Sequence, residues 1–316
     1  MNLKLSGYSA VLVCFLCAVC SCDKGNESSP ATLPTISTTG ISGITSSTAQ
    51  SGGTITSDGG GFTNANMVAV AGGTFTAGST LVTISSFKMD KYEVTYELWI
   101  DVRNWALTHG YTDLPTGRNG FSPVGTNNPV TEVNWYDVVK WCNARSEKDG
   151  YSPVYHTDKT LSVIYRTGRI NVDVEAVKWT ANGYRLPTEC EWEFAARGGT
   201  RTHGYTFSGG NVLAEVAWCS SNSGNSTHPV GQKKANELGI HDMSGNVYEW
   251  CWDYFGSAYP VGGASDPKGP LTAQNNARVL RGGPFYCNEM GGSVVYRSYD
   301  APSNRSVTYG FRCVQD

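Results

Sequence analysis

Tyr184-Arg185-Leu186-Pro187-Thr188-Glu189-Cys190-Glu191-Trp192-Glu193 is the stretch on which the reading of this chain turns. Thr188 and Glu191 form a capping box directly after Pro187, so a helix is expected over Thr188 to Arg197. Upstream, Trp135, Val138, Val139 and Cys142 recur at helical spacing and predict a helix over Asn134 to Ser146. A further helix is expected over Thr95 to Ala106, with Leu98, Trp99 and Val102 on one face. Met67 to Phe75 alternates as a strand does, and Val82 to Met89 reads as a second strand. Beyond Gly198 the pattern gives only short strands and loops. The expected class is an irregular, turn-rich α+β domain with little regular secondary structure.

The domain is preceded by two segments of different character. Lys4 supplies a basic start, and Tyr8 to Cys20 is apolar except for Ser9. That run is too short to span a bilayer but has the length of a signal-peptide core. Val19-Cys20-Ser21-Cys22 then resembles a bacterial lipobox, with Cys22 the better-placed acceptor and Cys20 the alternative. Residues 1–21 are thus expected to be a lipoprotein signal peptide, with Cys22 lipidated as a membrane anchor at the outer membrane or cell surface. Residues 22–66, dominated by Ser, Thr and Gly, read as a flexible tether. Residues 67–316 form the globular part, expected to act as a monomer. The chain carries a net charge of −3 without a basic cluster, which argues against nucleic acid as a partner. Its cysteines show no CxxC metal spacing, and Cys142, Cys190 and Cys313 sit in apolar patterns as buried thiols would.

Several motifs in order carry a resemblance. They are Met67 to Phe75, Lys91-Tyr92-Glu93-Val94-Thr95, Pro129-Val130-Thr131-Glu132-Val133-Asn134-Trp135, the stretch at Tyr184, Gly245-Asn246-Val247-Tyr248-Glu249-Trp250, Arg281-Gly282-Gly283 and Gly310-Phe311-Arg312. Together they resemble the formylglycine-generating-enzyme, or sulfatase-modifying-factor, domain. The resemblance implies a C-type-lectin-like fold whose N- and C-terminal strands lie close together. It also implies chemistry: the family's enzymes oxidise a cysteine of a client sulfatase with two thiolates that hold copper, and thiolates suit Cu(I). Here Cys287 falls on the first position and Gly292 on the second. The expectation is therefore no copper and no catalysis, with a sulfatase-activating oxidase as the alternative. The iron-dependent sulfoxide synthases of the same family need a histidine triad, and the five histidines here show no such spacing.

The segment from Pro284 to Tyr309 suggests a different role. Its 26 residues include four Tyr, four Ser, two Gly and two Asn, with no Lys or Trp. Tyr gives rigid contact area, and Ser, Gly and Asn give adaptable hydrogen bonds. Its place between the Arg-Gly-Gly and Gly-Phe-Arg motifs resembles the variable region of proteins diversified by a retroelement. In those proteins adenines of Asn codons are randomised, and only Glu289 and Met290 of this segment lie outside the reachable set. The expected contact residues for an unknown protein or glycan ligand are Phe285, Tyr286, Cys287, Asn288, Tyr296, Ser298, Tyr299, Asp300, Ala301, Ser306, Val307 and Thr308. Partial burial is the rival reading for Phe285 and Val307. Arg281, Arg297, Arg305 and Arg312 are expected to be scaffold.

The resemblance further implies a structural Ca2+ site. Asp242 and Glu249 would give carboxylates, and Gly245 and Val247 carbonyl oxygens. The rival reading has Asp242 capping a turn and Glu249 pairing with an arginine.

Overall fold

The computed structural model describes residues 66–122, 125–257, 259, 265–272 and 276–316, with the backbone of 41–44 and 49–51. The signal-peptide reading and Cys22 lie outside the described residues. Inside the expected tether, β1 (Ile41–Ile44) and β2 (Ala49–Ser51) pair antiparallel. Composition alone gave no such ladder, because Ser and Thr tolerate strand geometry without marking it.

The remaining elements belong to one unit, Thr63–Asp316. The expected first strand is two, β3 (Met67–Val70) and β4 (Gly73–Ala77), and the expected second strand is also two, β5 (Thr80–Ile84) and β6 (Phe87–Asp90). The break at Gly72 is a close approach, since a Cβ there would lie 2.8 Å from the Ile84 carbonyl oxygen. The three expected helices form within two residues of their predicted ends: α1 (Tyr96–Leu107), α2 (Trp135–Lys148) and α3 (Glu189–Ala196). Thr95, Asn134 and Thr188 cap them, and the box between Thr188 and Glu191 is closed in both directions.

Downstream of Gly198 the chain is more regular than expected. β9 (Tyr248–Tyr254) is a seven-residue strand. It follows the short pair β7 (Arg118–Asn119) and β8 (Val130–Thr131) and the single turn α4 (Leu213–Val216). After it come β10 (Arg278–Arg281), the turn α5 (Glu289–Gly292), β11 (Ser298–Asp300), β12 (Tyr309–Gly310) and β13 (Val314–Gln315).

Two sheets organise this unit. One has the order β13-β6-β3, which brings the two ends of the domain together. The other has the order β11-β10-β9-β12. Its faces alternate with the strand period. Trp250, Leu280 and Ser298 are cross-strand partners on one face, while their neighbours Glu249, Arg281 and Tyr299 turn to the other. The first face closes on α1 and α2, where Trp99 and Trp141 stack at 5.6 Å and both meet Phe311 edge-on. The second closes on α3 through Trp192, Cys251 and Val279. Cys142, Cys190, Cys219, Cys251, Cys287 and Cys313 are all buried and free. Among the described residues no helix is long and apolar enough to cross a membrane.

Candidate ligand-binding face

Both ends of the C-terminal segment are set by one residue of β9. Arg281 pairs with Glu249 on one side, antiparallel, and Gly310 pairs with Glu249 on the other, parallel. Gly283 lets the chain leave β10, with φ +80, because a Cβ there would lie 2.5 Å from the Gly291 carbonyl oxygen. Arginines then hold the segment down. Arg281 donates to Glu193 at 2.5 Å and to the carbonyls of Val294 and Tyr296 at 3.1 and 2.5 Å. Arg297 grips Glu189 with two hydrogen bonds of 2.6 and 2.8 Å, and Arg305 grips Asp137 at 3.0 and 2.8 Å.

The expected contact residues do not all reach one surface. Phe285, Cys287 and Thr308 are buried, so they are not direct contacts. Phe285 stacks on Phe121 at 5.5 Å, which satisfies its rival reading. Cys287 packs with Phe207, Leu213, Val216, Ala217 and Cys219. Thr308 shares a 2.8 Å hydrogen bond with Ser306. Ala301, Ser306 and Val307 are half-buried. Asn288 is exposed, but its side-chain oxygen caps α5 by accepting from Gly291 N. Tyr299 is exposed on the far face of β11, stacked on Phe255 at 4.1 Å.

What the fold does gather is a group of tyrosines. Tyr296, Ser298 and Tyr286 stand close enough to Tyr248 to shift its phenol. Burial first, and then Tyr296, pushes its phenol up to about 12. Tyr309, the register partner of Tyr248, packs against it at 6.3 Å and donates to Asp300 at 2.7 Å. Burial, then Asp300, raises the Tyr309 phenol also. Tyr248 and Tyr309 were missed from sequence. Tyr248 lies inside the motif read as a calcium loop, and Tyr309 directly precedes the Gly310 flank. Their shared register on β9 and β12 was the missing signal.

The copper chemistry of the resemblance does not fit these residues. A Cβ at Gly292 would lie 3.4 Å from Cys287 Sγ, so the two positions are adjacent. The same Cβ would lie 2.6 Å from Leu213 Cδ1, which fills the space of a second thiol. Burial, and then the neighbouring Cys219, pushes the Cys287 thiol up to about 12, away from the thiolate that a metal needs.

The calcium set fits no better as placed. Both Glu249 oxygens are taken: Arg312 donates to each at 2.7 Å, and Trp192 Nε1 donates to Oε2 at 2.8 Å. Asp242 accepts from Gly231 N at 2.7 Å and keeps one oxygen, Oδ1, without a partner. The rival arginine-pair reading describes Glu249. Equal melting temperatures in calcium and in EDTA are expected; a rise of several degrees with calcium would restore the cage.

Comparison with known proteins agrees with this architecture. Residues 54–316 match the model of the sulfatase-modifying factor enzyme 1-like domain. A chaperone protein, LppX, of Paenibacillus barcinonensis is 38% identical over 298 residues, covering 85% of this chain and 94% of its own. The formylglycine-generating enzyme of Streptomyces coelicolor is 37% identical over 239 residues, covering 69% of this chain and 60% of its own. The solved structure of Treponema denticola variable protein 1 superposes with a TM-score of 0.62 at 29% identity, covering 79% of this chain and 94% of its own. With its C-type-lectin-like fold, this chain belongs to the formylglycine-generating-enzyme, or sulfatase-modifying-factor, domain family.

Proposed function

We propose that this protein is a surface-displayed lipoprotein that binds ligands through its C-terminal segment and carries out no catalysis. The observation that carries the reading is the tyrosine group. Tyr286 and Tyr296 from the segment lie within electrostatic reach of the packed pair Tyr248 and Tyr309 of the sheet, and all four are at least partly exposed. The likeness to the Treponema denticola variable protein supports it. The Paenibacillus relative is described as a chaperone, a binding role rather than a reaction, and this also fits. The proposal includes diversification of the segment by a retroelement and anchoring through Cys22. A near-copy of the last codons beside a reverse-transcriptase gene tests the first. Release of a Cys22→Ser variant from the membrane fraction tests the second.

The direct test is binding. Tyr286→Ala and Tyr296→Ala are each expected to weaken ligand capture at least roughly ten-fold, as aromatic anchors do, with melting temperature nearly unchanged. Unaltered capture in both variants would sink the reading. The Streptomyces relative favours a second reading, a sulfatase-activating oxidase. Conversion of a client-peptide cysteine to formylglycine, followed by mass, would establish it; Gly292 in place of the second thiol leads us to expect none.

A further inference from the structure

The six cysteines of the domain sort two to a core. Cys142 and Cys313 lie in the core built on α1 and α2, and Cys190 and Cys251 in the one built on α3. Cys219 and Cys287 share the third and smallest, with Phe207, Leu213, Val216 and Ala217. Both are withdrawn from solvent, at 1% and 5% exposure. Their backbones are tied directly, since Ser220 N donates to the Cys287 carbonyl oxygen at 3.0 Å. One hydrogen bond between these peptide units sets the two Cα atoms on the scale of the roughly 4.4–6.8 Å that a disulfide spans. The thiols are also within electrostatic reach, because Cys219 follows burial as a cause of the raised Cys287 thiol. Glycines close in on Cys287 from its own segment: a Cβ at Gly283 or Gly291 would lie 3.1 or 3.2 Å from Cys287 Cβ. Cys219 Sγ meets the hydroxyl of the exposed Ser221 at 3.2 Å, a contact that water replaces when the sulfur turns.

We infer that Cys219 and Cys287 are a disulfide-forming pair, closed by thiol–disulfide exchange as the chain folds, which ties the base of the C-terminal segment to the loop after α4. This gives Cys287 a role that burial denies it as a ligand contact, and it stands apart from the ligand-binding reading. The oxidant is an external disulfide, either a protein or a small molecule. The thiolate of one cysteine attacks it, a mixed disulfide forms and one oxidant sulfur leaves as a thiol. The second cysteine then attacks the mixed disulfide and expels the other oxidant sulfur. The chain loses two S–H bonds and gains one S–S bond, and the oxidant is reduced to two thiols that carry the two protons. Thiols buried in apolar surroundings are inert, so closure belongs to folding, before the cluster is sealed. The same burial then shields the bond. Outside the cytoplasm such bonds persist, and that is where a displayed lipoprotein folds.

The full chain, refolded from reductant in a buffer of glutathione and glutathione disulfide, tests this without reference to any ligand. It is alkylated while denatured and digested with trypsin before reduction. Cleavage leaves Cys219 as the one cysteine of residues 202–233 and Cys287 as the one cysteine of residues 282–297. The expected product is a single species of these two peptides, two hydrogens lighter than their sum and split by reductant. The oxidised chain should melt on the order of 10 °C above the reduced one. In Cys219→Ser that difference should shrink by most of this amount, with Cys287 recovered alkylated. Both peptides recovered alkylated from chain that has regained its cooperative melt would overturn the proposal. Linkage of either cysteine to a different partner would overturn it too.

Discussion

Arg312→Met is expected to cost about 3–5 kcal/mol, the penalty for stranding buried carboxylates. Arg312 is fully buried and binds Glu249 through two 2.7 Å hydrogen bonds. It also donates to the carbonyls of Asp90 and His241 at 3.1 and 2.9 Å. Two more buried acids share its field. Burial, and then Asp242 and Glu249, hold the Glu93 carboxyl well above the usual range, while burial pushes Asp242 up to about 6. Arg312 lowers both. Without the guanidinium the folded state would take up protons that the unfolded state releases above pH ~4. Stability of the variant should therefore rise as pH falls from about 8 to 5. Thermal melts at the two pH values would read this, with a midpoint drop on the order of 10 °C at pH 8 and a smaller one at pH 5. Arg312→Lys should rescue little, because an ammonium cannot make the paired bonds of a guanidinium. An equal loss at both pH values would show that packing, not charge, sets the effect.

The second large effect is expected at Glu189, which touches no ligand surface. Its carboxylate is buried and is held by Arg297 through two bonds, with Arg281 Nε 3.7 Å away. Arg281 secures the segment at Val294 and Tyr296, and Arg297 ties it to the Gly256 carbonyl outside it. Glu189→Gln is expected to cost about 3 kcal/mol, since it leaves buried positive charge underpaired. It should also weaken ligand capture, because the tyrosine face loses its fixed base. A pH signature separates this from simple damage. Asp253 is pushed up to about 8, first by burial and next by Glu189. A carboxyl raised in the folded state keeps a proton that the unfolded chain has lost, so it costs stability as pH climbs from ~4 through ~8. Removing the Glu189 charge should narrow that window and flatten the loss. Titration of stability between pH 4 and 8 would show it, and an unchanged slope would remove Glu189 from the account.

Much of the fold could be read directly from the chain, for local reasons. The three helices were legible because α1 and α2 carry apolar residues at helical spacing and α3 opens on the Thr188 capping box, both of which are decided within a few residues. β9 was not, because Tyr248–Tyr254 is buried on both faces and so shows no alternation. The site was legible in part. Tyr286, Tyr296 and Ser298 follow from composition and place in the chain. Phe285, Cys287 and Thr308 misled because burial within a short segment is set by distant partners such as Phe121 and Leu213. Tyr248 and Tyr309 were hidden for a related reason: their pairing joins β9 to β12 across some sixty residues, and nothing local announces a parallel neighbour.

Glu249, flanked by Arg281 on one edge and Gly310 on the other, gives the segment a fixed port. Entry and exit stand two strand spacings apart, about 10 Å, whatever is threaded between them. Most of the cost of closing a loop is thus met by the sheet. For a free loop the remainder grows only with the logarithm of length, roughly 0.6 kcal/mol per doubling. A graft of foreign sequence at this port, longer or shorter than the native one, therefore meets a geometry already settled. Within the segment, the stretches that lie between β11 and the arginine-held points are where such a change of length is expected to be met at least cost.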